Sequence, residues 1–186
     1  MNRLELVLVG SVLLFYSPNI LFAKHCSQRD WNQLLHKQQY IDRLYNQQAI
    51  SFNQSLNEQR NQILIHKTFS PKEIDALLSV ENSNKREMLL KQAESALVTA
   101  ADLLHQHEKM SEQLPSFIQQ AKQWQTMSTH CQSADKQLNS IAAQKYVLHN
   151  QALINDVQVL MQKYEQLREI YLTEYQALRK AKNRNN

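Results

Sequence analysis

The chain has 186 residues, and its single glycine is Gly10, so the rest of the chain is built without glycine. Glycine supplies the positive φ angles of tight hairpins and phosphate-binding loops, and its absence argues against a hairpin-rich sheet, a Rossmann loop or a P-loop. The formal net charge of +4 comes from four cations near the C-terminus: Arg179, Lys180, Lys182 and Arg184. The charge therefore belongs to a tail and does not indicate a nucleic-acid-binding face.

The first 23 residues are predicted to be a secretory signal peptide. Arg3 supplies a positive start, residues 6–16 form an uncharged apolar run, and Pro18 precedes Ala23, a small residue suited to cleavage. The run is shorter than the roughly 20 apolar residues that a membrane span needs. We predict export to the bacterial periplasm with cleavage after Ala23. An uncleaved anchor in the inner membrane is the alternative.

Residues 24–178 are predicted to form one all-α domain, followed by a basic tail at residues 179–186. The first helical pattern runs from about residue 27 to 67, with apolar residues at three- and four-residue spacing. Gln38 and Gln48 occupy positions of this apolar face, so we expect a partly polar seam. Such polar positions weaken burial but fix the register of neighbouring helices.

A short helix is predicted near residues 71–79. Ser70 suits the N-cap, Pro71 suits the first helical position, and Glu73 completes a capping box with Ser70. A long helical pattern then begins near residue 84.

The last helical pattern carries seven apolar residues at near-heptad spacing, with Tyr175 alongside. These eight residues are here called the C-terminal stripe: Leu153, Val157, Leu160, Tyr164, Leu167, Tyr171, Tyr175 and Leu178. This spacing is typical of one face of a coiled coil. The stripe has two interpretations. Either the stripe packs against other helices of the same chain, or the helix projects and the stripe binds a partner. On the second interpretation these eight residues are candidate partner-binding residues.

Two topologies compete in the second half of the chain. The middle helix either ends at Pro115, or runs through it and turns near residues 127–131, where Thr129 suits an N-cap. A disulfide needs Cα atoms within about 7 Å. Only the second topology brings Cys26 beside Cys131, so we prefer it.

The same topology places Trp31 and Trp124 in one layer at the end of the molecule. We therefore predict an all-α fold: an elongated antiparallel three-helix bundle with coiled-coil character, in which the short helix lies at the far end.

The two cysteines, Cys26 and Cys131, are predicted to form a disulfide, because an exported protein meets an oxidising compartment. The alternative is a zinc or copper site in which His25 and His130 join them as ligands. Neighbouring residues on a helix point about 100° apart, so adjacent His-Cys pairs ligate poorly. We therefore predict no metal and no cofactor, with His25 and His130 kept as the alternative ligands.

No HExxH, CxxCH or Ser-His-Asp arrangement stands out, and we predict a protein that is not an enzyme. The favoured function is an interaction protein, an accessory subunit of an envelope or secretion-type assembly. A periplasmic holdase chaperone and a metal-binding protein are the alternatives. The expected partners are envelope proteins, with a second copy of the chain as a further candidate and with no nucleic acid. The basic tail is either a solvated helix end or a weak contact with anionic lipid.

Overall fold

The computed structural model describes residues 26–79 and 83–184. Their regular structure is entirely α-helical, which confirms the all-α prediction. The helices are α1 (Gln28–Asn61), α2 (Ile65–Thr68), α3 (Pro71–Leu77), α4 (Ser83–Ser133) and α5 (Gln137–Arg184). The predicted signal peptide, its cleavage site and His25 lie outside the described residues. None of the described helices combines the length and apolar character that a membrane span requires.

The helices α1 and α3 begin where the sequence predicted, near residue 27 and at Pro71. The hydroxyl of Ser27 accepts the backbone N–H of Asp30 at 3.1 Å and so caps α1. At α3, Ser70 Oγ accepts Glu73 N at 3.4 Å, while Ser70 N donates to Glu73 Oε2 at 2.7 Å. The predicted capping box is confirmed, and α3 begins at Pro71.

The first helix ends earlier than predicted. It stops at Asn61 instead of near residue 67, and Gln62 has an extended backbone. The break turns Leu64 and Ile65 into the core and leaves Ile63 71 % exposed. On a continuous helix these neighbours would point about 100° apart, whereas the extended backbone at Gln62 and Leu64 lets both side chains enter the core.

The turn between α4 and α5 lies later in the chain than predicted. α4 runs through Pro115 and ends at Ser133, so the turn lies at residues 134–136 and not near 127–131. Thr129 is no N-cap, because its hydroxyl donates to Gln125 O within α4 at 3.2 Å. Asp135 makes the reversal with a positive φ of 55°, a conformation that aspartate tolerates better than most residues.

The two longest helices, α4 and α5, pack against each other from the disulfide end to the far end of the molecule. Among the described residues both contribute to each of the three apolar clusters, whereas α1 contributes to two of them through Leu34, Ile41 and Phe52. Long packed helices in an all-α chain are thus shown. The finer description, an elongated antiparallel three-helix bundle with coiled-coil character, stays a prediction.

Candidate functional site

The two cysteines lie where the start of α1 meets the end of α4. The Sγ atoms of Cys26 and Cys131 are 2.05 Å apart and the Cα atoms 5.0 Å apart, so the pair is at disulfide distance as predicted. Both residues are buried. A disulfide uses both thiols, and the alternative metal site therefore loses its two sulfur ligands. Among the described residues no group of His, Cys, Asp and Glu is arranged to hold a metal ion.

An aromatic layer lies beside the disulfide. The ring centroids of Trp31 and Trp124 are 5.2 Å apart in an edge-to-face arrangement, which confirms that the two tryptophans share a layer. Tyr146 of α5 stacks on Trp124 at 4.2 Å. Tyr146 was not among the residues predicted for this layer. All three long helices therefore contribute one large ring to this end.

A buried polar layer follows, built around the side chain of Gln38. Its Oε1 accepts Trp124 Nε1 at 2.8 Å and Asn150 Nδ2 at 2.7 Å. Gln120 Nε2 donates to the backbone oxygen of Leu34 at 3.0 Å. The expected polar seam is confirmed at Gln38, and the layer joins α1, α4 and α5. Within the described structure Oδ1 of Asn150 has no hydrogen-bond partner.

The far end holds a carboxylate with no exposed surface, Glu174. Its Oε1 accepts Ile65 N at 2.9 Å and Gln92 Nε2 at 2.6 Å. Its Oε2 accepts His66 N at 2.9 Å and lies 2.6 Å from His66 Nδ1. Glu174 thereby stabilises the N-terminus of α2 and ties it to α4 and α5.

Burial also affects the ionisation of two tyrosines of α5. It raises the pKa of Tyr164 and Tyr171 above the ordinary value, so both phenols stay protonated. The hydroxyl of Tyr164 donates to the backbone oxygen of Gln48 at 3.1 Å. This hydrogen bond ties α5 to α1, and both tyrosines belong to the buried core.

The C-terminal stripe faces the core of its own chain. Tyr175 is half-buried and the other seven residues are buried. The partner-binding role named for these side chains therefore lacks an exposed face, and it would require α5 to separate from its neighbours. The burial agrees with the other interpretation, a stripe that packs inside the chain.

The basic tail is helical as far as Arg184, the last residue of α5. The Arg184 guanidinium makes a bidentate contact with Asp75, with Nη2 2.6 Å and Nε 3.0 Å from Oδ1. The Arg179 guanidinium lies 5.9 Å from the ring centroid of Tyr175. Lys180 is exposed and Lys182 half-buried. Contact of this tail with anionic lipid stays a prediction.

A second apolar face runs along the outside of α5. Leu138 is 82 % exposed, Ile141 57 %, Leu148 60 % and Val159 38 %. They belong to a series at alternating three- and four-residue spacing, here called the outer seam: Leu138, Ile141, Lys145, Leu148, Ala152, Asn155, Val159 and Gln162. The outer seam was not predicted from the sequence, although its repeat is visible there beside the C-terminal stripe.

Comparison with protein-family models, with curated proteins and with solved structures gives no match. No functional residue can therefore be transferred from a relative. Of the eleven large apolar side chains that the described part of the chain exposes, four lie on the outer seam. The outer seam is the feature of the described surface that best fits a binding role.

Proposed function

We propose that the protein is an exported interaction protein of the bacterial periplasm, not an enzyme, and an accessory subunit of an envelope or secretion-type assembly. Its body is an elongated antiparallel three-helix bundle with coiled-coil character, and it binds its partner through the outer seam. The observation that carries this proposal is the exposure of Leu138, Ile141 and Leu148 on a helix whose opposite face already fills a core.

The spacing of the outer seam suits a helical partner. Alternating steps of three and four residues keep side chains on one line along a helix, which is the pattern that packs against another helix. From residue 138 to 162 the line is about 36 Å long at 1.5 Å per residue. Burying a leucine or isoleucine contributes about 1.5–3 kcal/mol, so a few of these side chains can support a specific contact.

The outer seam is apolar over only part of α5. Beyond Val159 the same line continues through polar residues: Gln162, Gln166, Glu169, Thr173, Gln176 and Lys180. Single exposed apolar residues are common on soluble helices, whereas several that follow one line of a helix indicate a contact surface. The change of composition along one face supports a localised binding surface.

The compartment is argued from two features. The N-terminal pattern of charge, apolar run and small residue is that of an export signal. A buried disulfide between Cys26 and Cys131 suits an oxidising compartment such as the periplasm.

Photo-crosslinking in living cells tests the proposal. A photoreactive amino acid replaces Leu148 in the outer seam, and in a matched control it replaces Gln166, which is exposed on the same face of the same helix. We expect one recurrent adduct, identified by mass spectrometry, from position 148 and none from position 166. Equal labelling from both positions, or none from either, would argue against the outer seam as the binding surface.

A periplasmic holdase chaperone is the second candidate. It is favoured by the further exposed apolar side chains away from the outer seam, among them Val98 on α4 and Ile50 on α1. Apolar side chains exposed on several helices would offer an unfolded client several weak points of hydrophobic contact. Light scattering of a denatured client separates the two functions, because a dedicated subunit should not slow the aggregation of that client.

A further inference from the structure

We propose that the partner of the outer seam is a second copy of this chain, whose own outer seam lies antiparallel to the first about a two-fold axis near residue 150. This inference rests on the proposed function only in taking the outer seam as a binding surface. A two-fold contact must be self-complementary. If one residue of the first copy contacts a second residue of the other copy, then the same two residues also meet with the copies exchanged. The outer seam satisfies that requirement in spacing, in apolar character and in charge.

The spacing reads the same in both directions. The steps from Leu138 to Gln162 alternate as three, four, three, four, three, four and three residues. When one copy is reversed, its steps therefore coincide with those of the other over the whole outer seam. Two antiparallel helices with a three-four repeat interlock in this way.

The composition is matched about residue 150. Reversal places Ile141 opposite Val159 of the second copy, and Leu148 opposite Ala152 of the second copy. The two apolar pairs occur twice by symmetry. Leu138, at the outer end, lies opposite the amphipathic Gln162 of the second copy.

Charge favours the antiparallel arrangement over the parallel one. Reversal places Lys145 opposite Asn155 and beside Asp156 of the second copy, again twice by symmetry. In a parallel arrangement Lys145 would face Lys145, and like charges at one level destabilise a contact. Within the described part of the chain, neither Lys145 nor Asp156 forms an ion pair.

The edge of the outer seam is also self-complementary. One flank carries a glutamine at every seventh residue: Gln137, Gln144, Gln151 and Gln158. Each primary amide both donates and accepts hydrogen bonds, so a row of glutamines can meet its own copy without an unpaired charge. Gln151 lies next to the proposed axis.

Sedimentation equilibrium of the disulfide-bonded protein tests whether the contact forms. We expect a reversible dimer in the micromolar range. Leu148→Lys should raise the dissociation constant at least about 100-fold, because each copy loses a leucine that becomes buried only in the dimer. The control Gln166→Lys introduces the same charge farther along the same face and should leave the dissociation constant unchanged. Circular dichroism checks that both variants remain helical.

Charge reversal tests the role of Lys145 in the same assay. Lys145→Glu alone should weaken the dimer, because it faces Asp156 of the second copy. The double variant Lys145→Glu, Asp156→Lys should restore the dimer by exchanging the two charges. A double variant as weak as the single one would contradict this register.

Cysteine crosslinking tests the direction of the two chains. The native cysteines are joined in the disulfide, so a new cysteine is the reactive thiol. Oxidation of a mixture of Ile141→Cys and Val159→Cys should give the mixed dimer in preference to either homodimer. Preferential Ile141→Cys homodimers would overturn the antiparallel arrangement.

The outcomes separate this inference from the proposed function. A chain that stays monomeric, while position 148 crosslinks to a different protein in cells, overturns the second copy and leaves the binding surface standing. A dimer that is insensitive to Leu148→Lys overturns the outer seam as its interface. A dimer with the mixed crosslink, weakened by Leu148→Lys, establishes the inference.

Discussion

At the residue scale, the most constrained side chain is Glu174. It is the fully buried acid of the described core, and its two oxygens receive hydrogen bonds from α2 and α4. Burying a carboxylate costs free energy unless each oxygen finds donors. The break after Asn61 supplies them, because it directs the backbone N–H groups of Ile65 and His66 at this carboxylate. The early end of α1 and the burial of Glu174 are thus one feature.

The substitution Glu174→Gln tests that account. A glutamine keeps the shape but turns one acceptor into a donor that faces other donors. We expect the free energy of unfolding to fall by about 2–4 kcal/mol. Glu169→Gln, on the exposed side of the same helix, should change it by less than about 0.5 kcal/mol. Urea denaturation followed by circular dichroism measures both. Equal effects would mean that the buried hydrogen bonds contribute nothing specific.

The capping box of α3 predicts a pH effect at Glu73. The backbone N–H of Ser70, and then its side chain, lower the pKa of Glu73. Because the folded pKa is lowered, the contribution of the ionised Glu73 to stability is present above the ordinary pKa of a glutamate. It is lost as the pH falls through the lowered value. NMR titration of Glu73 in Ser70→Ala should show a pKa that has risen but stays below the ordinary value, since the backbone N–H remains. An unchanged pKa would remove the side chain as a cause.

At the scale of elements, the polar layer fixes how the three long helices align. One side-chain oxygen of Gln38 in α1 accepts hydrogen bonds from the side chains of Trp124 in α4 and Asn150 in α5. A shift of any helix by one turn would leave buried donors without an acceptor. Such a layer adds little net stability but makes other registers unfavourable.

Two substitutions in this layer should have unequal effects. Gln38→Leu removes the acceptor and leaves the indole N–H of Trp124 unpaired, so we expect a loss of about 2–4 kcal/mol in the free energy of unfolding. Asn150→Leu removes an amide whose oxygen has no partner in the described structure, and the apolar gain offsets the extra volume. We expect a change of less than about 1 kcal/mol. The reverse order in denaturant midpoints would contradict the roles given to the two residues.

The fold was largely predictable from the sequence where a local rule decides it. The absence of glycine indicated helices, the Ser70–Glu73 pair marked α3, and the two cysteines selected the topology through Pro115. These signals need only neighbouring residues or a distance limit. They were sufficient for the all-α fold and for the end layer of Trp31 and Trp124.

The missed features depend on contacts between distant segments. The end of α1 at Asn61 is set by Glu174, more than a hundred residues away in the sequence. The position of the second turn depends on Asp135 adopting a positive φ, which a sequence marks clearly only with glycine. The outer seam was missed because the C-terminal stripe, with the same repeat, carried the larger residues.

At the scale of the whole molecule, α1 is the long helix with the least support from its neighbours. α4 and α5 share a short turn and all three apolar clusters, whereas α1 joins two clusters and is fixed at its start by Cys26. The amine of Lys136, in the turn, also donates to the backbone oxygen of Cys26 at 3.0 Å. The disulfide therefore holds the beginning of α1 on a pair of helices that can hold each other.

Removing the disulfide should weaken the molecule unevenly. Cys26 and Cys131 are 105 residues apart, and a loop of about 100 residues corresponds to about 4.7 kcal/mol in the chain-entropy description. We expect the double variant Cys26→Ala, Cys131→Ala to lose about 3–5 kcal/mol in unfolding free energy. Hydrogen exchange should show the first half of α1 losing protection before the α4–α5 pair, and reduction of the native protein should reproduce the pattern. Uniform loss across all three helices would instead mean that they open as one unit, with α1 as firmly held by packing as by its covalent link.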